Sequence, residues 1–135
     1  MTNFAHHRLD AYRVALELFL GVERLAAGLP RGHRDLKDQM RRSVAAVVRH
    51  IAEGANRTHA ADKATRFIVA KGECGECDAT LEMAGLLGLA PSPVIDSLRH
   101  RADRIAAMLP GLARRERGRV LAVRLSGSDN PSFAR

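Results

Sequence analysis

The only two cysteines of the chain, Cys74 and Cys77, lie in the stretch KGECGECDAT and are the first candidates for chemistry. A zinc site needs four ligands, but neither a second such cysteine pair nor a His-x-x-x-His pair is present to complete it. A redox pair needs a helix N-terminus or nearby cations to lower the thiol pKa, whereas Glu73, Glu76 and Asp78 flank this pair. We therefore predict that both thiols are core residues, with a metal site and a redox pair as the alternatives.

This prediction rests on the helical spacing around the two cysteines, which alternates between three and four residues. Residues with that spacing share one face of a helix and pack as its core, and free cysteine packs there as a small hydrophobe. The face comprises Phe67, Ala70, Cys74, Cys77, Leu81, Ala84 and Gly88.

Other polar residues give little support for catalysis. His50 and Glu53 are spaced for a base and its orienting carboxylate, but no nucleophile or oxyanion donor accompanies them, so we predict a boundary histidine hydrogen-bonded between helices. The di-iron signature of helical bundles, Glu-x-x-His, is missing. We expect no enzymatic activity, no metal and no cofactor. A solvated or subunit-pairing face is predicted for the acidic cluster Glu73, Glu76, Asp78 and Glu82.

The net charge of +7 is concentrated in the last third of the chain. Residues 99–135 contain nine arginines and three acidic residues, whereas residues 1–98 are nearly balanced. Because guanidinium groups bind phosphate in a bidentate manner, this pattern predicts a nucleic-acid partner, RNA before DNA. A solvated basic face and a site for an acidic protein partner are the alternatives. The predicted nucleic-acid-binding residues are Arg99, Arg101, Arg104, Arg114, Arg115, Arg117 and Arg119.

Four helices account for most of the chain. Apolar periodicity predicts them at about residues 9–28, 34–53, 60–87 and 92–109, with Gly54 as a C-cap and Pro110-Gly111 ending or kinking the last one. We predict an all-α, antiparallel up-down four-helix bundle over residues 1–110. A basic arm and a disordered tail follow over residues 111–135.

The first and third helices carry more apolar surface than one bundle face requires. On the first helix, Val14, Leu18 and Leu25 form a stripe beside the main one. On the third, a lane rich in small residues lies opposite the cysteines. We therefore expect a homo-oligomer. The main stripe of the first helix is Leu9, Tyr12, Leu16, Phe19 and Val22, and the lane of the third is Ile68, Gly72, Gly75, Ala79, Met83 and Leu86.

The cellular location can also be predicted from the sequence. No apolar run approaches the roughly 20 residues that span a bilayer, so no membrane association is expected. The N-terminus lacks the basic-then-apolar layout of a signal peptide. Two closely spaced cysteines form no disulfide framework, which suits a reducing compartment. We expect a cytoplasmic protein.

The chain contains several short motifs, of which the most specific comprises His50, Ile51, Ala52, Glu53, Gly54 and Arg57. The other motif positions are Leu9 and Ala15, Leu29-Pro30, Gln39 with Arg41 and Arg42, and Phe67 with Glu76. These motifs resemble those of the four-helix bundle family encoded in intervening sequences of bacterial 23S ribosomal RNA genes, in which the most specific one is Asn-Ile-Ala-Glu-Gly-x-x-Arg. The resemblance extends over about residues 9–109.

The resemblance implies an up-down bundle, often a homopentamer, with no known catalysis. A related branch, the accessory proteins of diversity-generating retroelements, is thought to bind nucleic acid and a reverse transcriptase. Four polar or turn-forming positions of the family differ in this chain. The family's asparagine is replaced by His50, its serine and proline earlier in that helix by Ala46 and Val48, and its third-helix serine by Glu73.

Overall fold

The computed structural model describes residues 2–128, which form four α-helices preceded by a short 3-10 helix, Ala5–Arg8. Neighbouring helices along the chain pack against each other, and α1 also packs against α4. The all-α architecture with four helices is therefore confirmed. Among the described residues, no helix is both long and apolar enough to cross a membrane. The helices are α1 (Asp10–Ala27), α2 (Arg34–Asn56), α3 (Ala60–Leu86) and α4 (Ser92–Ser128).

The core forms where the apolar stripes of the four helices meet. On α3 the stripe is buried as predicted, from Phe67 to Ala84, and both cysteines lie in it. Gly88 is the exception, because it lies beyond the helix with a φ of 69° and closes the C-terminal turn. There Leu89 N donates to Ala84 O at 3.0 Å, the pattern of a Schellman motif.

Two stripe assignments are corrected by the structure. On α1 the side stripe of Val14, Leu18 and Leu25 faces the core, whereas Leu16 of the main stripe is 38% exposed. On α4 the spacing of threes and fours predicts a stripe of Val94, Leu98, Ala102, Ile105 and Leu109. Val94 is instead 43% exposed, and its neighbour Ile95 is buried in its place. In both cases the sequence offers two apolar residues for one core position, and only packing decides which one the bundle buries.

The C-terminal end of α2 lies beyond the predicted cap. Gly54 is inside the helix and buried, and α2 continues to Asn56. A Cβ atom on Gly54 would lie 2.7 Å from Cε1 of Phe67 on α3. Glycine is therefore needed here for the close approach of an aromatic ring, and not for a left-handed turn.

Helix α4 does not end at Pro110 but continues without interruption to Ser128. A proline inside a helix costs about 3 kcal/mol through a lost hydrogen bond and a steric clash. Leu109, Ala113 and Glu116 are all buried, so the segment after Pro110 stays against the bundle. This burial offsets the cost of the proline. Residues 111–128 of the predicted arm and tail are therefore helical, and residues 129–135 lie outside the described residues.

Candidate nucleic-acid interface

The two cysteine thiols lie in the hydrophobic core, as predicted. Cys74 is 1% exposed and Cys77 is fully buried. Burial raises the pKa of Cys74 to about 12 and that of Cys77 to about 11. Both thiols are therefore protonated at neutral pH, and in this uncharged form they pack as small apolar side chains. Within residues 2–128, no group of three or more His, Cys, Asp or Glu side chains is placed to hold a metal ion.

The acidic cluster of α3 forms ion pairs with both neighbouring helices. Arg42 of α2 pairs with Glu76, and its Nη1 lies 3.8 Å from Oε2 of Glu73. On the other side, Arg99 Nε of α4 donates to Asp78 Oδ1 at 2.8 Å, and Arg99 also pairs with Glu82. The hydrogen bond with Asp78 raises the pKa of Arg99. These contacts hold the Arg99 side chain against α3, where the carboxylates of Asp78 and Glu82 neutralise its charge.

Two more of the predicted arginines also have partners within the chain. Arg101 Nη1 donates to Ser97 Oγ at 2.6 Å, and its Nε lies 3.4 Å from Oε2 of Glu17 on α1. Arg119 Nη1 donates to Glu116 Oε1 at 3.1 Å. Arg101 therefore links α4 to α1, and Arg119 pairs within α4. Their charges are partly compensated before any external ligand binds.

The remaining predicted arginines lie on α4, and their side chains are exposed. Within the described part of the chain, none of these side chains has an ion pair or hydrogen-bond partner. At 1.5 Å per residue, they are distributed over about 20 Å of helix. They are Arg104, Arg114, Arg115 and Arg117. The structure thus divides the seven candidates into three that are paired and four that remain free to bind an anion.

The end of α4 extends past the bundle. Among the residues up to Gly127, Glu116 is the last that is buried, and from Arg117 to Ser126 every residue except the half-buried Val120 is exposed. This segment, hereafter the α4 extension, comprises residues 117–128. It carries Arg124 as a further exposed arginine. Three large apolar side chains are also exposed there, namely Leu121, Val123 and Leu125.

The family motif forms the corner between α2 and α3. Glu53 Oε2 lies 3.5 Å from both Arg57 Nη2 and Arg66 Nε, and 3.9 Å from His50 Nδ1. Asp62 of α3 completes the network, with an oxygen 3.6 Å from Arg57 Nη1. Glu53 is thus the carboxylate around which three basic side chains gather. His50 has no hydrogen bond from Nδ1, so the predicted hydrogen bond between helices is not observed at that atom.

The other motif residues also have structural contacts. Ile51 is fully buried, and the carbonyl of Ala52 accepts a hydrogen bond from Asn56 Nδ2 at 2.8 Å. Asn56 Oδ1 accepts a hydrogen bond from the backbone of Ala5 at 3.1 Å. The end of α2 therefore anchors the N-terminal 3-10 helix against the same corner. The contacts of the motif account for how this end of the bundle is assembled.

Three charged residues near this corner are absent from the sequence-based site. Glu116 is 3% exposed, and Nζ of Lys63 on α3 lies 3.5 Å from its Oε1. Arg8 lines a small cavity together with these two residues. Helical spacing could have identified Glu116, because the stripe of α4 continues from Leu109 through Ala113 to residue 116. Because Pro110 is predicted to end the helix, the sequence-based stripe stops before Glu116. Nothing in the local sequence marks Arg8 or Lys63.

Comparison with known proteins identifies the family of this chain. A search of curated proteins finds no match. The family model of the 23S rRNA-intervening sequence protein matches residues 7–111 of the 135, which includes the motif at the α2–α3 corner and all of the core up to Leu109. The chain therefore belongs to the 23S rRNA-intervening sequence protein family.

Proposed function

We propose that this protein is a non-enzymatic accessory protein of the cytoplasm that binds nucleic acid, RNA in the first instance, through the phosphates of the backbone. The observation that supports this most strongly is the set of exposed arginines on α4 that have no ion pair or hydrogen-bond partner among residues 2–128. A paired arginine loses its internal ion pair when it binds a phosphate, whereas an unpaired one does not. Arg104, Arg114, Arg115 and Arg117 are therefore the principal phosphate ligands of the proposal.

The shape of α4 also favours an extended polyanion over a compact anion. The exposed arginines without partners among residues 2–128 are distributed along one continuous helix, and Arg124 adds an exposed arginine on the α4 extension. Contacts of this kind bind the backbone without reading bases. We therefore propose binding with little sequence preference and a strong dependence on salt.

The first test is a triple variant, Arg104→Gln with Arg114→Gln and Arg117→Gln, which loses three of the proposed phosphate contacts. We expect it to bind a structured RNA at least about tenfold more weakly than wild type at low salt. Fluorescence anisotropy measures the dissociation constants. A matched control carries Arg24→Gln, Arg31→Gln and Arg49→Gln, which remove the same charge from exposed arginines off α4 that also lack partners among residues 2–128. An equal loss in the control would reduce the proposal to a general charge effect, and no binding by wild type would refute it.

A second candidate function is that of an adaptor for a protein partner. The α4 extension favours it, because Leu121, Val123 and Leu125 are 59%, 70% and 60% exposed. Such a contact would be apolar and would weaken little with added salt, in contrast to phosphate binding. Salt dependence therefore separates the two functions.

We further propose that the four helices form an antiparallel up-down bundle that assembles with copies of itself, as a homopentamer by resemblance to the family. The lane on α3 from Ile68 to Leu86 is exposed along its whole length. A Cβ atom on Gly72 or Gly75 would meet nothing within 4 Å, yet each glycine costs a helix about 0.5–1 kcal/mol relative to alanine. Close approach of a helix from a second copy would explain both glycines. In a ring, the weak contacts of each α4 would add as avidity.

Light scattering at micromolar concentration tests this assembly. We expect wild type to be oligomeric and the double variant Ile68→Asp with Met83→Asp to be monomeric, because it places charges in the exposed α3 lane. Leu121→Asp adds a charge to a more exposed apolar residue on the α4 extension and should leave the assembly intact. A monomeric wild type would refute the assembly and the avidity together.

A further inference from the structure

A small cavity lies at the end of the bundle where the 3-10 helix, α2, α3 and α4 converge. Its volume is about 240 Å³. Pockets that hold whole drug-sized ligands measure roughly 300–1,000 Å³, so this one suits a small group of a larger ligand. Its walls combine apolar side chains with an unusual number of charges. The lining residues are Ala5, Arg8, Leu9, Ala55, Lys63, Phe67, Leu112, Arg115, Glu116 and Arg119.

The charge of this cavity is not balanced within the described chain. Three arginines and one lysine line it, but Glu116 is its only carboxylate, which leaves a surplus of three positive charges. Glu116 pairs with Lys63 and Arg119. The side chains of Arg8 and Arg115 have no partner among residues 2–128. Two guanidinium groups with free donors therefore border a cavity that already holds two more cations.

The surroundings increase the attraction of this cavity for an anion. Phe67 is 2% exposed, and Leu9 and Leu112 are partly buried against the core. Low-dielectric walls focus the field of nearby charges and strengthen charge-assisted hydrogen bonds. Glu116 holds Lys63 and Arg119 in place, so these two cations do not need to be ordered when a ligand enters.

We propose that this cavity binds a phosphate monoester, which on the proposed function is the terminal phosphate of a nucleic-acid strand. A terminal phosphate carries between one and two negative charges at pH 7 and matches the surplus better than the single charge of an internal phosphodiester. It also presents one covalent attachment, so the strand leaves in one direction. A cavity of this volume accepts a phosphate with part of its sugar but not a strand continuing on both sides.

The test compares one RNA oligonucleotide that carries a 5′-phosphate, a 3′-phosphate or hydroxyl groups at both ends. We expect wild type to bind a phosphorylated form about tenfold more tightly, an increment that corresponds to about 1.4 kcal/mol. The double variant Arg8→Gln with Arg115→Gln should lose this preference. Both side chains are exposed and unpartnered within the described chain, so their replacement leaves the core unchanged. Arg104→Gln removes one charge at a position outside the cavity. This variant should bind all three RNAs more weakly by the same factor and keep the preference for the phosphorylated form.

Three results separate this inference from the proposed function. Equal, salt-dependent binding of all three RNAs by wild type would overturn the phosphate site and leave backbone binding intact. A preference that persists in the Arg8→Gln, Arg115→Gln variant would also overturn the site. If no RNA binds, titration with inorganic phosphate at constant ionic strength tests whether the cavity binds a small phosphate ligand instead. Shifts of the Arg8 and Arg115 side-chain signals in NMR spectra would then assign the cavity to a small phosphate ligand, and unchanged signals would refute it.

Discussion

Replacing Glu116 with alanine is expected to destabilise the fold by about 3 kcal/mol, the lower end of the range for removing one partner of a buried ion pair. Glu116 is 4% exposed at its side chain, and Lys63 is only 17% exposed. Without the carboxylate, the Lys63 ammonium stays largely desolvated among Arg8, Arg115 and Arg119. Urea denaturation measures the change.

Two further variants separate this charge effect from lost packing. Arg119→Ala removes the exposed partner of Glu116, so we expect it to cost less than about 1 kcal/mol. The double variant Lys63→Met with Glu116→Leu removes both charges and keeps the side-chain volume. Its stability should return to within about 1 kcal/mol of wild type, because replacing a buried pair with apolar residues is often neutral. A double variant as unstable as Glu116→Ala would contradict this account.

Gly54→Ala is expected to lower the free energy of unfolding by about 1–2 kcal/mol. Alanine normally improves a helix by about 0.5–1 kcal/mol over glycine. Here the new Cβ would lie 2.7, 2.8 and 3.1 Å from three ring atoms of Phe67. That ring is itself buried at the α2–α3 corner, so it cannot move without disturbing its neighbours. Overpacking of this kind costs roughly 1–3 kcal/mol, which outweighs the gain in helix propensity.

Gly118→Ala is the matched control for this substitution. A Cβ atom on Gly118 meets nothing within 4 Å, and the residue lies in the exposed α4 extension. We expect this variant to be at least as stable as wild type in the same denaturation experiment. If Gly54→Ala were equally harmless, the close contact with Phe67 would not be the reason for glycine in the family motif.

The fold follows from the sequence where only one apolar stripe is available. The core stripe of α2 is such a case, because Met40, Val44, Val47 and Ile51 repeat at threes and fours and are all buried. On α1 two stripes compete, and the choice between Val14 and Leu16 depends on where α2 and α4 lie. Local signals were misleading where tertiary packing opposed them. Gly54 reads as a helix cap and Pro110 as a helix end, yet burial keeps both inside helices.

The candidate site was less predictable, because its charges are balanced by residues far away in sequence. Composition alone treats all arginines of residues 99–119 as equivalent. The fold pairs Arg99 with Asp78 and Arg101 with Glu17, a residue 84 positions earlier. It leaves Arg104 and Arg114 without partners among the described residues. No spacing rule within α4 distinguishes Arg99 and Arg101 from Arg104 and Arg114, because the carboxylates that pair with the first two belong to α3 and α1. Arg119 is different, because its partner Glu116 lies three residues earlier on α4 itself.

The cavity at the bundle end illustrates the same limit more strongly. Its basic residues come from the 3-10 helix, from α3 and from α4, so Arg8, Lys63 and Arg115 are widely separated in the chain. They meet because α4 continues past Pro110 and because Asn56 anchors the N-terminal segment to α2. An error in one helix end is therefore enough to hide the whole cavity. In contrast, the thiols could be assigned to the core from spacing alone.

The salt dependence of RNA binding tests the central claim most directly. The logarithm of the binding constant falls linearly with the logarithm of salt concentration, with a slope of about 0.7 for each phosphate contact on a single strand and about 0.9 on a duplex. If the unpaired arginines of α4 bind phosphates, the triple variant Arg104→Gln, Arg114→Gln, Arg117→Gln should show a slope shallower than wild type by about 2 to 3 on the structured RNA. The control triple at Arg24, Arg31 and Arg49 should keep the wild-type slope. Equal slopes for wild type and the α4 variant would contradict the claim.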